Sequence, residues 1–75
     1  MTQFPTLGPR KLIKILKKLG FAKIRQEGSH IFFKQSDGRT TVVPNHPGKD
    51  IGRGLMRAIL TDLKLTPAEF QKLLK

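Results

Sequence analysis

The spacing of apolar residues changes twice along the chain, and this change limits the folds that the chain can adopt. Two stripes have helical spacing: Leu12, Ile13, Leu16 and Leu19 form the first, and Met56, Ile59, Leu60 and Leu63 form the second. The segments between the two stripes are short, alternating or β-branched, and are separated by turn signals. The pattern predicts a helix, a group of strands and a second helix.

Turn and cap residues set the predicted boundaries of these elements. Gly8-Pro9 begins the first helix and Gly20 ends it, because proline suits the first helical position and glycine suits the C-terminal cap. Glu27-Gly28 and Asp37-Gly38 separate the strands, since glycine accepts positive φ at low cost. The predicted elements are a helix over 9–19, strands over 21–26, 30–34 and 39–43, a helix over 53–64, and a short final helix that carries Phe70, Leu73 and Leu74.

Together these elements predict one α+β domain. Strands joined by tight turns form an antiparallel meander, and two striped helices must bury their stripes on one face of it. We expect a two-layer αβββα domain over residues 8–75, with a three-stranded antiparallel sheet, helices on one face and a short extra C-terminal helix. Residues 1–7 lack periodicity and are expected to form a flexible tail. A length of 75 residues leaves room for a single domain.

The chain is strongly basic. It has 15 Lys and Arg against 5 Asp and Glu, which gives a formal net charge of +10. This charge predicts attraction to a polyanion, whether nucleic acid, an acidic protein or an anionic membrane. A membrane-spanning segment is excluded because the longest apolar runs are three residues, whereas a spanning helix needs about 20. With no signal peptide visible, we expect a cytoplasmic protein.

The sequence lacks the residues that several classes of active site require. The chain has no cysteine, which removes disulfides, thiolate metal sites and cysteine nucleophiles. The five acids are scattered, and Asp37, Asp50 and Glu69 are explained by a hairpin turn, a helix start and a capping box. Ser29 adjoins His30, but neighbours on a strand point to opposite faces, and no Gly-x-Ser-x-Gly elbow occurs. We therefore expect no metal site and no other cofactor.

The two histidines are the candidates for acid–base chemistry. Imidazole has an ordinary pKa of about 6.5, which suits proton transfer in both directions near neutral pH. His30 opens the second strand after Glu27-Gly28-Ser29, and His46 lies in the loop before the second helix. The adjacent Phe32 and Phe33 leave open which sheet face His30 shares with an aromatic ring.

Basic residues gather in two segments. The first 26 residues hold Arg10, Lys11, Lys14, Lys17, Lys18, Lys23 and Arg25 and no acid. The lysines of the first helix either solvate its polar face or bind a polyanion. Lys49, Arg53 and Arg57 are the candidates for phosphate contact around the start of the second helix, and the two arginines are four residues apart on one helix face. For a nuclease with these residues RNA is the better substrate, because its 2′-hydroxyl is an internal nucleophile that needs no metal.

An ordered set of motifs resembles the HicA-type mRNA interferase toxins, also called the YcfA family. The matching segments are Leu19-Gly20-Phe21, Glu27-Gly28-Ser29-His30, Asp37-Gly38-Arg39, Val43-Pro44, His46-Pro47-Gly48-Lys49-Asp50-Ile51, and Gly54 with Arg57, Ile59 and Leu60. The resemblance covers about residues 8–72. The chain departs from the family pattern at Gly52 and Leu55, where proline and threonine are frequent, and near Lys64, where a glycine is usual.

The resemblance implies the toxin of a type II toxin–antitoxin pair, with a fold like that of double-stranded-RNA-binding domains. It also implies metal-independent cleavage of mRNA and a HicB-type antitoxin that covers the active site. The catalytic histidine of the family falls on His30, which acts as general base on the 2′-hydroxyl or as general acid for the leaving oxygen. His46 is either a second acid–base group or a residue that orders its loop, and Ser29 either contacts RNA or only forms the turn. The alternative function is a non-catalytic double-stranded-RNA-binding module of the same fold.

Overall fold

A computed structural model describes residues 7–46 and 48–74. The elements follow in the order helix α1 (Pro9–Lys18), strands β1 (Ala22–Glu27), β2 (His30–Lys34) and β3 (Thr40–Pro44), and helices α2 (Arg53–Leu63) and α3 (Pro67–Leu73). The strands form one antiparallel sheet in the order β1–β2–β3. The predicted α+β class, the element order and the short C-terminal helix are confirmed. Of the predicted tail, residues 1–6 lie outside the described residues, and Leu7 is buried in the core.

Helix α1 begins and ends where its cap residues predict. Pro9 lies in the first turn after the N-cap Gly8. At the other end, Gly20 takes a φ of 94° and turns the chain beyond the C-cap Leu19. The side-chain amide of Gln35, just after β2, donates to the Leu19 carbonyl, which the helix itself leaves without a partner. These contacts place the C-terminal end of α1 beside the β2–β3 turn.

The buried stripe of α1 differs from the predicted one at three positions. The buried side chains include Leu12, Ile15 and Leu16, whereas Ile13 and Leu19 are half-buried. A helix that packs on a flat sheet buries positions i, i+3 and i+4, and Ile15 completes that set. Ile13 is left at the edge of the helix, where it faces a cleft described below.

The sheet has one buried face and one open face. Ile31 and Phe33 of β2 and Val43 of β3 are at most 5% exposed and belong to the core. Side chains alternate between faces along a strand, so His30 and Phe32 lie on the opposite, open face. Helices α1 and α2 both pack on the buried face, which confirms the predicted two-layer arrangement.

Strand β1 departs from the predicted alternation. The sequence places Ala22, Ile24 and Gln26 on one face and Lys23 and Arg25 on the other, but all six residues of β1 are exposed. The pairing register shifts between Lys23 and Arg25, so a β-bulge leaves Ile24 outside the ladder and 55% exposed. A bulge and flanking cations on an edge strand hinder pairing with a further strand.

Helices α2 and α3 complete the core. The largest fully buried side chains are Phe33, Phe70, Leu12, Leu16, Met56, Ile59, Leu60, Leu63 and Val43. Among the described residues, one polar side chain is buried, that of Thr41. Its hydroxyl donates to the Asp62 carboxylate of α2 at 3.1 Å. Helix α3 packs against this core through Phe70. No helix in the described ranges is long and apolar enough to cross a membrane.

Candidate functional site

Strand pairing brings the β1–β2 turn and the end of β3 together at one end of the sheet. His30 is the Cα partner of Glu27 on β1 and of Pro44 on β3. The backbone N–H of Asn45 donates to the Ser29 carbonyl at 2.7 Å. This hydrogen bond ties the Ser29-His30 segment to the start of the β3–α2 loop. We call this end of the molecule the His30 end.

His30 is exposed to solvent on the open face of the sheet. Its chain neighbour Ile31 is 5% exposed and points into the core, so the alternation along β2 fixes the face of His30. Within residues 7–46 and 48–74 the imidazole has no hydrogen-bond partner. A ligand therefore reaches the ring without any rearrangement of the core.

Beside His30, the open face carries an aromatic ring and an ion pair. Phe32 lies two residues along β2, and the guanidinium carbon of Arg25 is 4.3 Å from the centre of its ring. Arg25 also pairs with the Glu27 carboxylate at 3.0 Å. One cation and one anion therefore share this part of the face, and the excess positive charge of the molecule lies elsewhere.

Both long helices point their N-termini toward the His30 end. The Gln35 amide contacts the C-terminal end of α1, and the Arg39 guanidinium donates to the Leu63 carbonyl at the C-terminal end of α2, at 2.6 Å. Gln35 and Arg39 flank the β2–β3 turn, which is the opposite end of the sheet from His30. A helix N-terminus carries a partial positive charge that acts over about one turn, so both helix dipoles favour an anion at the His30 end on the side of the sheet that the helices cover.

A basic cleft lies between α1 and the β3–α2 loop. Its volume is about 740 Å³. Its cations are Arg10, Lys14 and Lys17 from α1 and Lys49 from the loop, all four of them exposed. Among the described residues that line the cleft, Asp50 is the one acidic residue. Asn45 lines the same cleft and donates its N–H to Ser29, so the cleft opens beside the His30 segment.

The structure separates the predicted phosphate contacts into two groups. Lys49 lines the basic cleft, whereas Arg53 and Arg57 are exposed on the first two turns of α2 and are not among the described residues that line it. Sequence reasoning left the α1 lysines without an assigned role. A signal for them was present, because Arg10, Lys14 and Lys17 follow the helical spacing i, i+4 and i+7 and so share one helix face.

His46 is exposed in the β3–α2 loop. Its backbone carbonyl accepts the N–H of Lys49 at 3.2 Å, and Gly48 closes this turn with a φ of 80°. The imidazole is not needed for this hydrogen bond, because every residue has a backbone carbonyl. Pro47, the next residue of the predicted motif, lies outside the described residues.

Two acids have the structural roles that the sequence predicts. Asp37 accepts the backbone N–H and the guanidinium N–H of Arg39, and the backbone hydrogen bond lowers the pKa of Asp37 below its ordinary value. Glu69 accepts the backbone N–H of Thr66 in a capping box, which lowers the pKa of Glu69. Within the described ranges, no three His, Asp or Glu side chains gather in a group that could hold a metal ion.

Comparison with known proteins identifies the family. A family model described as HicA toxin of bacterial toxin-antitoxin matches residues 9–65, which is more than half of the chain and runs from the start of α1 to just beyond α2. A search of curated proteins finds no match. The matched range includes the Ser29-His30 segment and the four cations of the basic cleft. The chain belongs to the HicA toxin family of bacterial toxin–antitoxin systems.

Proposed function

We propose that this toxin is a metal-independent endoribonuclease, an mRNA interferase, in which His30 transfers the proton. The observation that carries the proposal is the position of His30. It is exposed on the open face of the sheet, at the end of the molecule to which both helix dipoles point. RNA carries an internal nucleophile, its 2′-hydroxyl, so an accessible imidazole is useful for cleaving it. DNA lacks this hydroxyl, and binding to a membrane requires no imidazole.

The proposed reaction is an internal transfer at phosphorus. The ribose 2′-oxygen forms a bond to the adjacent phosphorus atom, and the bond from phosphorus to the 5′-oxygen of the next nucleotide breaks. A base removes the proton of the 2′-hydroxyl, and an acid gives a proton to the departing 5′-oxygen. The products are a 2′,3′-cyclic phosphate and a 5′-hydroxyl. His30 fills one of these two roles, and the reaction needs neither a metal nor an oxidant.

Cations near the reacting phosphate stabilise the negative charge that builds up on its oxygens. Lys49, Arg53 and Arg57 are our candidates for these contacts, because they lie at or near the N-terminal end of α2 at the His30 end. Ser29 precedes His30 and is half-buried, which suits a role in positioning the turn or the RNA. His46 is exposed in the adjacent loop, and it either donates the second proton or only shapes that loop.

A toxin of a toxin–antitoxin system has an antitoxin partner. We propose that this partner is a HicB-type protein that covers His30 and so blocks access to the imidazole. The proposal is supported by the exposure of His30, since an uncovered ring on an open sheet face is available to a partner as well as to RNA. Free toxin would then cleave mRNA in the cytoplasm, and the complex would not.

The direct test compares cleavage of RNA by the wild-type chain and by His30→Ala. Loss of a proton-transfer group should slow cleavage by roughly 10²-fold or more. Thr40→Ala is the matched control, because Thr40 is exposed at the far end of the same sheet face and its change should leave the rate within about twofold.

Both variants should keep the wild-type unfolding midpoint, since neither side chain is buried. Full activity of His30→Ala would contradict the assignment. Binding of duplex RNA by a wild-type chain that never cuts it would instead favour the non-catalytic RNA-binding module.

A further inference from the structure

We propose that the basic cleft binds the sugar–phosphate backbone of the RNA strand, through Lys14 and Lys17 of α1 together with Arg10 and Lys49. The inference rests on the proposed function for the identity of the polyanion. It adds a binding surface on a different element from the predicted contacts on α2. The cleft then holds the part of the strand that extends away from the phosphate at His30.

The first support is the arrangement of charge. Three cations on one face of α1 and a fourth from the loop line a single cleft, and Asp50 is the acid that the described residues contribute to it. Like charges gathered in a cleft repel one another and concentrate the positive potential there. A bound polyanion relieves this repulsion.

The second support is the geometry of the row. Residues four apart on a helix are separated by about 6 Å along its axis. Successive phosphates of an extended nucleotide chain have a similar separation, so Arg10 and Lys14 can meet neighbouring phosphates. A cleft of about 740 Å³ also lies within the ordinary size range of ligand sites, about 300–1,000 Å³.

The third support is continuity with His30. Asn45 lines the cleft, and its N–H is hydrogen-bonded to the Ser29 carbonyl, one residue before the imidazole. A strand bound in the cleft therefore lies at the His30 end, and it reaches the imidazole on the open face by passing around that end of the sheet. This continuity favours RNA over an acidic peptide, because a long substrate needs a path on at least one side of the cleaved bond.

The experiment measures binding of a fluorescently labelled single-stranded RNA of mixed sequence to chains that carry His30→Ala, so that cleavage does not interfere. The cleft variant is Lys14→Gln with Lys17→Gln. The matched control is Lys11→Gln with Lys18→Gln, two exposed α1 lysines outside the lining of the cleft. Each pair removes two charges from α1, one of them from its last turn, so net charge and helix-dipole effects are the same.

The cleft variant should bind roughly tenfold more weakly, and the slope of log affinity against log salt should fall in magnitude by about 1.4, or about 0.7 for each lost phosphate contact. The control pair should stay within about twofold of its parent. Equal weakening by both pairs would mean that RNA responds only to overall charge, and the cleft assignment would be overturned. No weakening by the cleft pair would overturn it as well.

Two further readouts separate this inference from the proposed function. If the wild-type chain cuts RNA but the two lysine pairs behave alike, the nuclease proposal stands and the cleft assignment fails. If the wild-type chain does not cut RNA but the cleft pair alone weakens binding, the cleft stands and the nuclease proposal fails. Loss of antitoxin binding by the cleft pair, with RNA binding unchanged, would assign the cleft to the protein partner and overturn our inference.

Discussion

Lys64 is held in a conformation that its side chain disfavours. It is the C-cap of α2 and has a φ of 58°. Among the described residues, every other positive φ belongs to a glycine. A left-handed backbone costs an L-residue roughly 1–2 kcal/mol. This position therefore explains why a glycine near Lys64 suits the family pattern that the chain otherwise resembles.

Lys64→Gly should raise the free energy of unfolding by about 0.5–1 kcal/mol, because glycine adopts this φ without strain. Lys64→Ala is the control, since it removes the same charge but keeps the Cβ atom that causes the strain. Urea denaturation of the three chains measures the difference. Equal stabilisation by alanine and glycine would show that charge, and not backbone conformation, is responsible.

Gly20 and Gly38 have nearly the same φ, 94° and 102°, but different surroundings. A Cβ atom at Gly20 would lie 2.7 Å from the Gln35 amide nitrogen, whereas nothing lies within 4 Å of one at Gly38. Gly20→Ala would therefore displace the amide that caps α1 in addition to straining the backbone.

We expect Gly20→Ala to destabilise the chain by about 1 kcal/mol more than Gly38→Ala, which is the ordinary net value of one hydrogen bond. Thermal unfolding of both variants measures this difference. Equal losses of stability would indicate that the Gln35 amide contributes nothing to the end of the helix.

The chemistry of individual residues was only partly predictable. The Gly28-Ser29-His30 motif identifies His30 as a candidate from the sequence, but Phe32 and Phe33 stand side by side and leave its face open. The structure resolves this because Phe33 is 1% exposed and Phe32 is only half-buried. Which aromatic ring enters the core depends on packing against the helices, and no local pattern in β2 records that packing.

At the scale of elements, α3 depends on one aromatic anchor and one cap. It lies beyond the family match, which ends at residue 65, yet its Phe70 has 0% exposure and joins the core. Thr66 and Glu69 close its first turn with hydrogen bonds of 3.1 and 2.8 Å. A seven-residue helix has little stability of its own, so its position comes mainly from Phe70, with the half-buried C-cap Leu74 packed against the same core.

Phe70→Ala should lower the free energy of unfolding by about 3–5 kcal/mol, because it leaves a large cavity in the core. That is a large share of the roughly 5–15 kcal/mol that holds a domain folded. Leu73→Ala, on the same helix but 37% exposed, should cost much less. Similar midpoints for the two variants in denaturant would contradict the docking of α3 through Phe70.

The capping box of α3 predicts a dependence of stability on pH. The hydrogen bond from the Thr66 N–H lowers the pKa of Glu69 in the folded chain, so the folded state favours the ionised carboxylate. The stabilisation is fully present above the unfolded pKa of about 4.3 and is lost as pH falls through the lower folded value. The stability difference between wild type and Glu69→Gln should therefore be constant near neutrality and shrink below about pH 4. A difference that does not change with pH would contradict this contribution.

The boundaries of the helices and the two tight turns were predictable because glycine, proline and capping residues mark them locally. The bulge in β1 was not, because it arises from how β1 pairs with β2 and not from its own composition. The helical spacing of Arg10, Lys14 and Lys17 shows that they share one helix face. That this face lines a cleft depends on the β3–α2 loop opposite it, which the spacing does not reveal. Sequence therefore predicts elements better than it predicts the surfaces that two elements share.

At the scale of the whole molecule, the net positive charge and the orientation of the two long helices both favour binding of a polyanion. The chain carries a net charge of +10, and both long helices direct their N-termini toward the His30 end. Affinity for RNA should therefore fall steeply with salt for any version of the RNA-binding function. Salt dependence alone does not distinguish a nuclease from a binding module, so the decisive evidence must come from the chemistry of the products.

The most direct test of the nuclease proposal is an analysis of the ends of RNA fragments made in the presence of EDTA. The wild-type chain should yield fragments that end in a 2′,3′-cyclic phosphate and begin with a 5′-hydroxyl, and His30→Ala should yield almost none. Fragments with 3′-hydroxyl and 5′-phosphate ends, activity abolished by the chelator, or full activity of His30→Ala would each contradict the proposed mechanism.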